Sequence, residues 1–341
     1  MNIRQQLTVA ASVLALAGGT LAAQTIQING AGATFPNPIY SKWFSEYNKL
    51  KPNVQINYTP IGSGGGIRQI SQRTVFFGAT DGPMTPEQMQ SAPGKILHLP
   101  TVLGAVVPVY NIPGVKQELK FTGQLLADVT LGKITKWNDP AIAKLNAGVN
   151  LPATDIVVAH RSDGSGTTYI WVDYLSKVSP EFRKTVGVST SVKWPVGVGG
   201  KGNEGVAGLV SQTPGALGYV ELIYALQNTI SYGAVQNSSG NFVRATVDAV
   251  TAAAAAAAAQ MPEDFRVSIT NPPGKDAYPI ASFTWLLLYE NPQDKTQAKI
   301  MVEFMQWALT DGQKHARELG YAPLPKAIVD MELKALQKVK L

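Results

Sequence analysis

A glycine-rich stretch near the middle of the chain, Arg161-Ser-Asp-Gly-Ser-Gly-Thr167, carries the residue types that bind an oxyanion. Its two glycines allow a sharp turn and a close approach of the backbone to a ligand. Ser165 and Thr167 place hydroxyls beside the free N–H groups of a helix's first turn, where partial positive charge collects. Arg161 adds a planar fork of donors that matches phosphate or carboxylate. The alternative is an ordinary capped helix with a surface Arg–Asp pair, but two similar turns upstream favour an anion site.

Those two upstream turns each follow a predicted strand and open a predicted helix. In Gly30-Ala-Gly-Ala-Thr-Phe-Pro36, small residues leave the hydroxyl of Thr34 and the backbone N–H of Phe35 accessible. In Gly62-Ser-Gly-Gly-Gly66, Ser63 is a natural N-cap and the glycines can present consecutive N–H groups to an anion. The alternative for the first motif is a plain strand-to-helix turn, and the alternative for the second is a flexible glycine loop.

A carboxylate, Asp81, stands at the end of the apolar run that begins at Val75. An aspartate at the end of a strand is usually a cap or a turn residue. Its role therefore depends on what surrounds it.

Strand-like and helix-like patterns alternate along the whole chain, and this alternation predicts an α/β fold. The predicted strands include 25–29, 54–58, 156–159 and 278–289. The predicted helices include 39–48, 122–131, 168–175, 203–211, 246–260, 295–309 and 326–338. The fifth of these, 246–260, includes the alanine run Ala252–Ala259, because alanine is the best helix former. A length of 341 residues favours two domains or one large α/β unit.

Composition narrows the classes of partner. The net charge is +6 and the calculated isoelectric point is about 9.3. The basic residues are scattered, so nucleic acid is not expected as a partner. The net positive charge is expected to produce a mild electrostatic field that attracts small anions. The absence of cysteine excludes disulfides, thiolate chemistry and a cysteine-linked lipid anchor.

The N-terminus has the pattern of a cleaved signal peptide. Arg4 precedes an apolar core, Leu7 to Ala17, and a small-x-small site ends at Ala22. The apolar run is much shorter than the ~20 residues of a membrane-spanning helix. We predict a signal peptide over residues 1–22, cleavage after Ala22 or Ala23, and an exported protein.

Catalytic and cofactor motifs are weak. The histidines His98, His160 and His315 match no metal-binding spacing. Neither Ser63 nor Ser165 lies in the G-x-S-x-G motif of a nucleophilic serine. A Ser–His–Asp hydrolase remains an alternative, because the members of a catalytic triad can come together only in the folded protein. The sequence 200–205 satisfies G-x-G-x-x-G, with Glu221 near the offset of a ribose ligand, but no clear strand-helix-strand unit follows. We therefore predict no catalytic residue, no metal and no cofactor, and a turn into a helix at 203–211.

Six motifs occur in order along nearly the whole mature chain. They are Gly30-Ala-Gly-Ala-Thr-Phe-Pro36, Gly62-Ser-Gly-Gly-Gly66, Phe77-Gly-Ala-Thr-Asp-Gly-Pro83, Leu131-Gly-Lys-Ile-Thr-Lys-Trp137, Arg161-Ser-Asp-Gly-Ser-Gly-Thr167 and Lys193-Trp-Pro-Val-Gly-Val-Gly-Gly-Lys-Gly-Asn203. In these motifs the chain resembles the PstS family, the periplasmic phosphate-binding components of phosphate-specific ABC importers.

The resemblance implies a type II periplasmic-binding-protein fold, in which two α/β lobes enclose a ligand cleft and are joined by hinge crossovers. The crossovers are expected near 100–101 and 280–282. Lobe I would comprise 23–100 and 281–341, and lobe II 101–280. A monomer in the periplasm is implied, with inorganic phosphate as ligand and the permease subunits at the inner membrane as partners.

The resemblance also implies a ligand set. Carried over by motif, the phosphate ligands are Thr34, Phe35 through its backbone N–H, Ser63, Asp81, Arg161, Ser165, Gly166 and Thr167, and Asp163 would hold Arg161 in place. Phosphate at neutral pH carries a proton that Asp81 can accept, whereas sulfate carries none. A binding protein for another tetrahedral oxyanion and a secreted phosphatase are the alternative functions.

Overall fold

The computed structural model of the protein describes residues 25–258 and 261–341. The predicted signal peptide, 1–22, and its cleavage site lie outside these residues, as does the end of the predicted alanine-rich helix, 259–260. Among the described residues, no helix combines the length and the apolar character needed to cross a bilayer.

Strands and helices alternate as the sequence predicts, so the α/β assignment is confirmed. The strands are β1 (Ile26–Gly32), β2 (Val54–Pro60), β3 (Phe77–Thr80), β4 (Ile96–Tyr110), β5 (Lys120–Phe121), β6 (Val157–Arg161), β7 (Val198–Gly200), β8 (Ala216–Glu221), β9 (Ser231–Tyr232), β10 (Ala234–Gln236), β11 (Phe242–Val243) and β12 (Ala281–Tyr289). The helices are α1 (Asn37–Leu50), α2 (Ser63–Ser71), α3 (Pro86–Ser91), α4 (Gly123–Thr130), α5 (Pro140–Leu145), α6 (Gly166–Val178), α7 (Pro180–Thr185), α8 (Gly202–Gln212), α9 (Leu222–Gln227), α10 (Val247–Ala258), α11 (Lys295–Leu309) and α12 (Lys326–Leu336).

One large sheet organises the fold, and β4 is the strand that joins its two parts. Over 25–258 and 261–341, the sheet has nine strands in the order β2-β1-β3-β12-β4-β8-β6-β7, with β9 also beside β4. Up to Ala105, β4 pairs antiparallel with β12; from Val106 onward it pairs antiparallel with β8. We call β2, β1, β3 and β12, with the helices and loops attached to them, the first part of the fold, and β8, β6 and β7, with the helices and loops attached to these, the second part.

Within each part, parallel strands are connected through helices. In the first part, β1 lies parallel to β2 and to β3, with α1 and α2 as the connections. In the second part, β6 lies parallel to β7 and to β8, and α8 connects β7 to β8. This last unit contradicts the expectation that no strand-helix-strand unit follows Gly200. The sequence pattern did not predict this unit because β7 has only three residues and β8 is an unbroken buried run without alternation.

The first helix shows why the predicted boundaries shift. The sequence predicts 39–48, and α1 spans Asn37–Leu50. Pro36 is the N-cap and Pro38 lies in the first turn, where a missing N–H costs no hydrogen bond. The buried residues Ile39, Tyr40, Trp43, Phe44 and Tyr47 recur at helical spacing and pack into the core.

Helix α2 packs unusually closely on β1 through a glycine. A Cβ atom added at Gly66 would lie 2.5 Å from the Cα of Gly32 and 2.7 Å from the carbonyl oxygen of Ala79. Both neighbours are backbone atoms that cannot swing away. The glycine therefore fixes the distance between helix and strand, and with it the position of Ser63 at the start of α2.

We predict that Gly66→Ala lowers the free energy of unfolding by about 2 kcal/mol or more, because overpacking against fixed backbone outweighs the gain in helix propensity. Gly208→Ala is the matched control, since nothing lies within 4 Å of a Cβ added to that glycine of α8. It should raise the free energy of unfolding by about 0.5–1 kcal/mol. Urea unfolding of both variants measures the difference, and equal effects would contradict the close packing of α2.

Candidate functional site

The loops at the carboxyl ends of the parallel strands of the two parts meet each other. The backbone N–H of Gly166, at the start of α6, donates to the Ser63 hydroxyl at 3.0 Å. The N–H of Gly64 donates to the carbonyl oxygen of Gly164 at 2.9 Å. The residues predicted from separate motifs are thereby brought into one buried region, at the place where ligands bind between open α/β units.

Arg161 ends β6 and is almost completely buried, with 3% of its surface exposed. Its Nε and Nη2 donate to the two carboxylate oxygens of Asp163 at 2.8 and 2.6 Å, and its Nη1 donates to the Thr167 hydroxyl at 3.3 Å. Asp163 also accepts from the N–H of Gly202 at 3.0 Å. Burial by itself would raise the pKa of Asp163, but the hydrogen bonds and charge of Arg161 outweigh it and hold that pKa below its usual value. The guanidinium is therefore fixed in orientation by an ionised carboxylate.

The start of α6 is the second cationic feature of the region. Ser165 is the N-cap, and its hydroxyl accepts from the N–H of Thr168 at 3.0 Å. A Cβ added at Gly166 would lie 2.5 Å from the Ser63 hydroxyl oxygen and 2.6 Å from a carboxylate oxygen of Asp81. Glycine thus permits the backbone of α6 to approach both side chains, and the partial positive charge of the helix N-terminus faces Asp81.

Asp81 follows β3 and is buried among donors. The Thr284 hydroxyl donates to its Oδ1 at 2.7 Å, and its own N–H donates to the Ser63 hydroxyl at 3.2 Å. Burial raises the pKa of Asp81 to about 7, although the Thr284 hydrogen bond, the charge of Arg161 and the Ser63 hydrogen bond each lower it. Thr284 was not predicted, since a threonine inside the apolar strand β12 gives no signal of a role in a site.

The loop that contains Thr34 and Phe35 is held by its carbonyl groups. Three consecutive carbonyl oxygens accept hydrogen bonds from tyrosine hydroxyls: Tyr58 to Ala33 at 2.7 Å, Tyr224 to Thr34 at 2.6 Å, and Tyr321 to Phe35 at 2.6 Å. The tyrosines come from β2, from α9 and from the segment before α12. The backbone of this loop is therefore fixed from three directions.

Asn203 joins two of the predicted hydroxyl residues and was missed as a site residue. Its Nδ2 donates to the hydroxyls of Thr34 at 2.8 Å and Thr167 at 3.2 Å, and its Oδ1 accepts from the N–H of Glu221 at 3.0 Å. It lies one residue into α8 and is fully buried. The sequence signal was its place at the end of the Lys193–Asn203 motif, but an asparagine near a helix start is usually read as a cap.

The alternative of a dinucleotide site is not supported by the geometry. Glu221 is fully buried, and its Oε2 caps α9 by accepting from the N–H of Ile223 at 2.8 Å. A Cβ added at Gly200 would lie 2.6 Å from the backbone of Gly205, so these glycines serve the close packing of β7 on α8. His98 lies elsewhere, in the core, where its Nε2 accepts from the N–H of Met84 and burial lowers its pKa to about 3.

Among the residues that the structure describes, no group of three or more His, Cys, Asp or Glu side chains could hold a metal ion. The chemistry of the region is instead that of hydrogen bonding. Backbone N–H groups, hydroxyls and one guanidinium surround the buried carboxyl group of Asp81.

Comparisons with known proteins agree on one family. The model of the PBP superfamily domain matches residues 18–312. The chain is similar to the phosphate-binding protein PstS of Pasteurella multocida, with 46% identity over 95% of this chain and 94% of that one, and to that of Xylella fastidiosa, with 47% identity over 90% and 84%. In fold it is similar to a crystal structure of a phosphate-binding protein from Stenotrophomonas maltophilia, with a TM-score of 0.70, 18% identity, and coverage of 91% of this chain and 94% of that one. The chain belongs to the PstS family of phosphate-binding proteins and has the type II periplasmic-binding-protein fold.

Proposed function

We propose that this protein binds inorganic phosphate in the periplasm and delivers it to the permease subunits of an ABC importer. The relatives named above are phosphate-binding proteins, and the predicted signal peptide and the lack of a cysteine for lipid attachment fit a free periplasmic protein. The observation that carries the proposal is the buried cluster in which Arg161, the start of α6 and Ser63 surround Asp81. The protein acts as a monomer and needs no cofactor.

The proposed ligands are the residues that the motifs single out. They are Thr34, the N–H of Phe35, Ser63, Asp81, Arg161, Ser165, Gly166 and Thr167, with Asp163 orienting Arg161. All the ligands except Asp81 can donate hydrogen bonds to phosphate oxygens. Because the cluster is buried, these bonds act in a medium of low effective dielectric constant and are stronger than in water.

Asp81 gives the site its preference for a protonated anion. Phosphate near neutral pH carries at least one proton, which it can donate to the carboxylate, whereas an unprotonated sulfate oxygen would face the carboxylate charge. An unpaired buried acceptor costs about 1–3 kcal/mol, and more when it is charged. Sites of this kind reject a ligand that lacks the hydrogen bond by factors of about 10⁴ or more.

The proposed lobe I is built around the first part of the fold, and the proposed lobe II around the second part. Lobe I comprises 23–100 and 281–341, and lobe II comprises 101–280. The hinge strands are adjacent, since the N–H of Val106 donates to the carbonyl oxygen of Ile280 at 2.9 Å. Rotation about these strands would separate the loops that meet at the site and admit the anion.

Binding without turnover distinguishes this proposal from a secreted phosphatase. Calorimetric titration of the purified protein should show binding of inorganic phosphate. Arsenate should compete with phosphate for the site, and sulfate should not. The protein should release no product from a chromogenic phosphate ester. Turnover of the ester at a rate that increases with protein concentration would favour the phosphatase, and equal affinity for sulfate would favour a general oxyanion-binding protein.

We predict that Asp81→Asn lowers the ratio of phosphate to sulfate affinity by about tenfold or more, because the amide can donate to a sulfate oxygen that the carboxylate repels. Calorimetric titration of the variant with both anions measures the ratio. Unchanged selectivity would refute the role of Asp81 as proton acceptor.

We predict that Arg161→Ala weakens phosphate binding by about 100-fold or more, since it removes a buried charged donor and leaves Asp163 without its partner. The matched control is Arg183→Ala, which removes an exposed arginine of α7 and should leave the affinity unchanged. Similar affinities of the two variants would exclude Arg161 as a ligand.

We predict that the stability of the unliganded protein depends on pH through Asp81. Its pKa is about 7 in the folded protein and about 4 in the unfolded chain, so the folded state binds the extra proton between these values. The contribution of protonated Asp81 to the free energy of unfolding is fully present below pH 4 and is lost as the pH rises through 7. Asp81→Asn should therefore stabilise the protein relative to wild type more at pH 8 than at pH 5, by up to about 3 kcal/mol. Denaturant unfolding in phosphate-free buffer tests this, and a difference that is constant over pH would contradict it.

A further inference from the structure

The hydroxyl of Tyr224 lies between two acceptors that belong to different parts of the fold. It is 2.6 Å from the carbonyl oxygen of Thr34, which follows β1 in the first part. It is 3.1 Å from Oε1 of Glu204, an exposed residue of α8 in the second part. Tyr224 itself is buried near the start of α9, also in the second part.

A phenol has one proton, so Tyr224 cannot donate fully to both acceptors. Burial, followed by the nearby charges of Glu204 and Glu221, raises the pKa of Tyr224 above its ordinary value, so the proton is retained at any physiological pH. The two acceptors therefore compete for it. The shorter distance shows that the carbonyl oxygen of Thr34 has the larger share in the arrangement seen here.

The carbonyl of Thr34 is directly connected to a proposed ligand. It belongs to the same planar peptide unit as the N–H of Phe35, and the two bonds point in opposite directions across that unit. A donor that holds the carbonyl oxygen from one side therefore fixes the direction of the N–H on the other. The N–H of Asn37 also donates to this oxygen, at 3.2 Å, so two donors hold the peptide.

We propose that Tyr224 is a positioning residue for phosphate binding, which aims the N–H of Phe35 at the anion when the two parts meet, and that Glu204 is the competing acceptor that receives the hydrogen bond of the Tyr224 hydroxyl when they separate. This inference rests on the proposed function. The bond from Tyr224 to Thr34 exists only while the parts are together, so it slows release of the anion. The bond to Glu204 satisfies the hydroxyl after opening and so limits the cost of release.

The first test is Tyr224→Phe, which keeps the buried ring and removes the hydroxyl. We expect phosphate affinity to fall about fivefold, with most of the change in the release rate, because one hydrogen bond across the two parts is lost. The matched control is Tyr289→Phe, which removes an equally buried hydroxyl whose bond to the carbonyl of Ile70, at 2.8 Å, lies within the first part. The control should keep the affinity and the release rate of the wild type.

The second test separates the competition from a simple effect of charge. Glu204→Gln leaves a weaker acceptor, so more of the proton goes to Thr34 and we expect affinity to rise about twofold. Removing a negative charge near an anion would also raise affinity, but that effect does not need the tyrosine hydroxyl. In a Tyr224→Phe background the gain from Glu204→Gln should therefore shrink or vanish, whereas an equal gain in both backgrounds would overturn the proposal.

Titration calorimetry and stopped-flow release with inorganic phosphate are the measurements for all of these variants. Thermal unfolding checks that each variant is folded. Failure of the wild type to bind phosphate would refute the proposed function. Binding by the wild type, together with a wild-type release rate in Tyr224→Phe, would refute only the role of Tyr224.

Discussion

Burial of the Asp81 carboxyl group among hydrogen-bond donors is the constraint on which the rest of the site depends. An isolated buried carboxylate is costly, and burial correspondingly raises the pKa of Asp81 to about 7. The cost is reduced by two donors of the first part, Thr284 from β12 and Ser63 from α2, and by the charge of Arg161 at the end of β6 in the second part. The carboxyl group is therefore tolerated only where the loops of the two parts meet.

The topology explains how residues so distant in sequence converge. Parallel strands joined by helices place their carboxyl ends on one edge, so the turns after β1, β2 and β3 are neighbours, as are those after β6, β7 and β8. Strand β4 joins the two parts and changes partner between Ala105 and Val106. This change of partner lets two sets of loops face each other across one site.

Much of the candidate site could be predicted from the sequence, because its members lie in local motifs with a physical meaning. The glycines, hydroxyls and arginine of 161–167 indicate a strand, a turn and a helix start without knowledge of the fold. Thr284, Asn203 and Tyr224 could not be found in this way. Their roles depend on which residue lies opposite them across the sheet or between the two parts, and that is fixed by strand register and helix packing rather than by neighbours in sequence. The unit β7–α8–β8 was missed for a related reason, since a three-residue strand has too little pattern to be recognised.

The bonds that join the two parts explain why an anion could control their separation. At the site they run between neutral groups, such as the N–H of Gly166 and the hydroxyl of Ser63, or the amide of Asn203 and the hydroxyl of Thr34. Each contributes only about 1 kcal/mol net, because water offers both partners a substitute when the parts separate. Such bonds leave the joined and separated states close in free energy, and a ligand shifts that balance by its difference in affinity for the two. In the proposed complex, an anion held by Arg161 and the start of α6 on one side and by Ser63 and Phe35 on the other would have all its partners only in the joined state. In this proposal the anion, held by Arg161 and by neutral donors of both parts, supplies the free energy that favours the joined state, while the weak bonds between neutral groups at the site keep that state reversible.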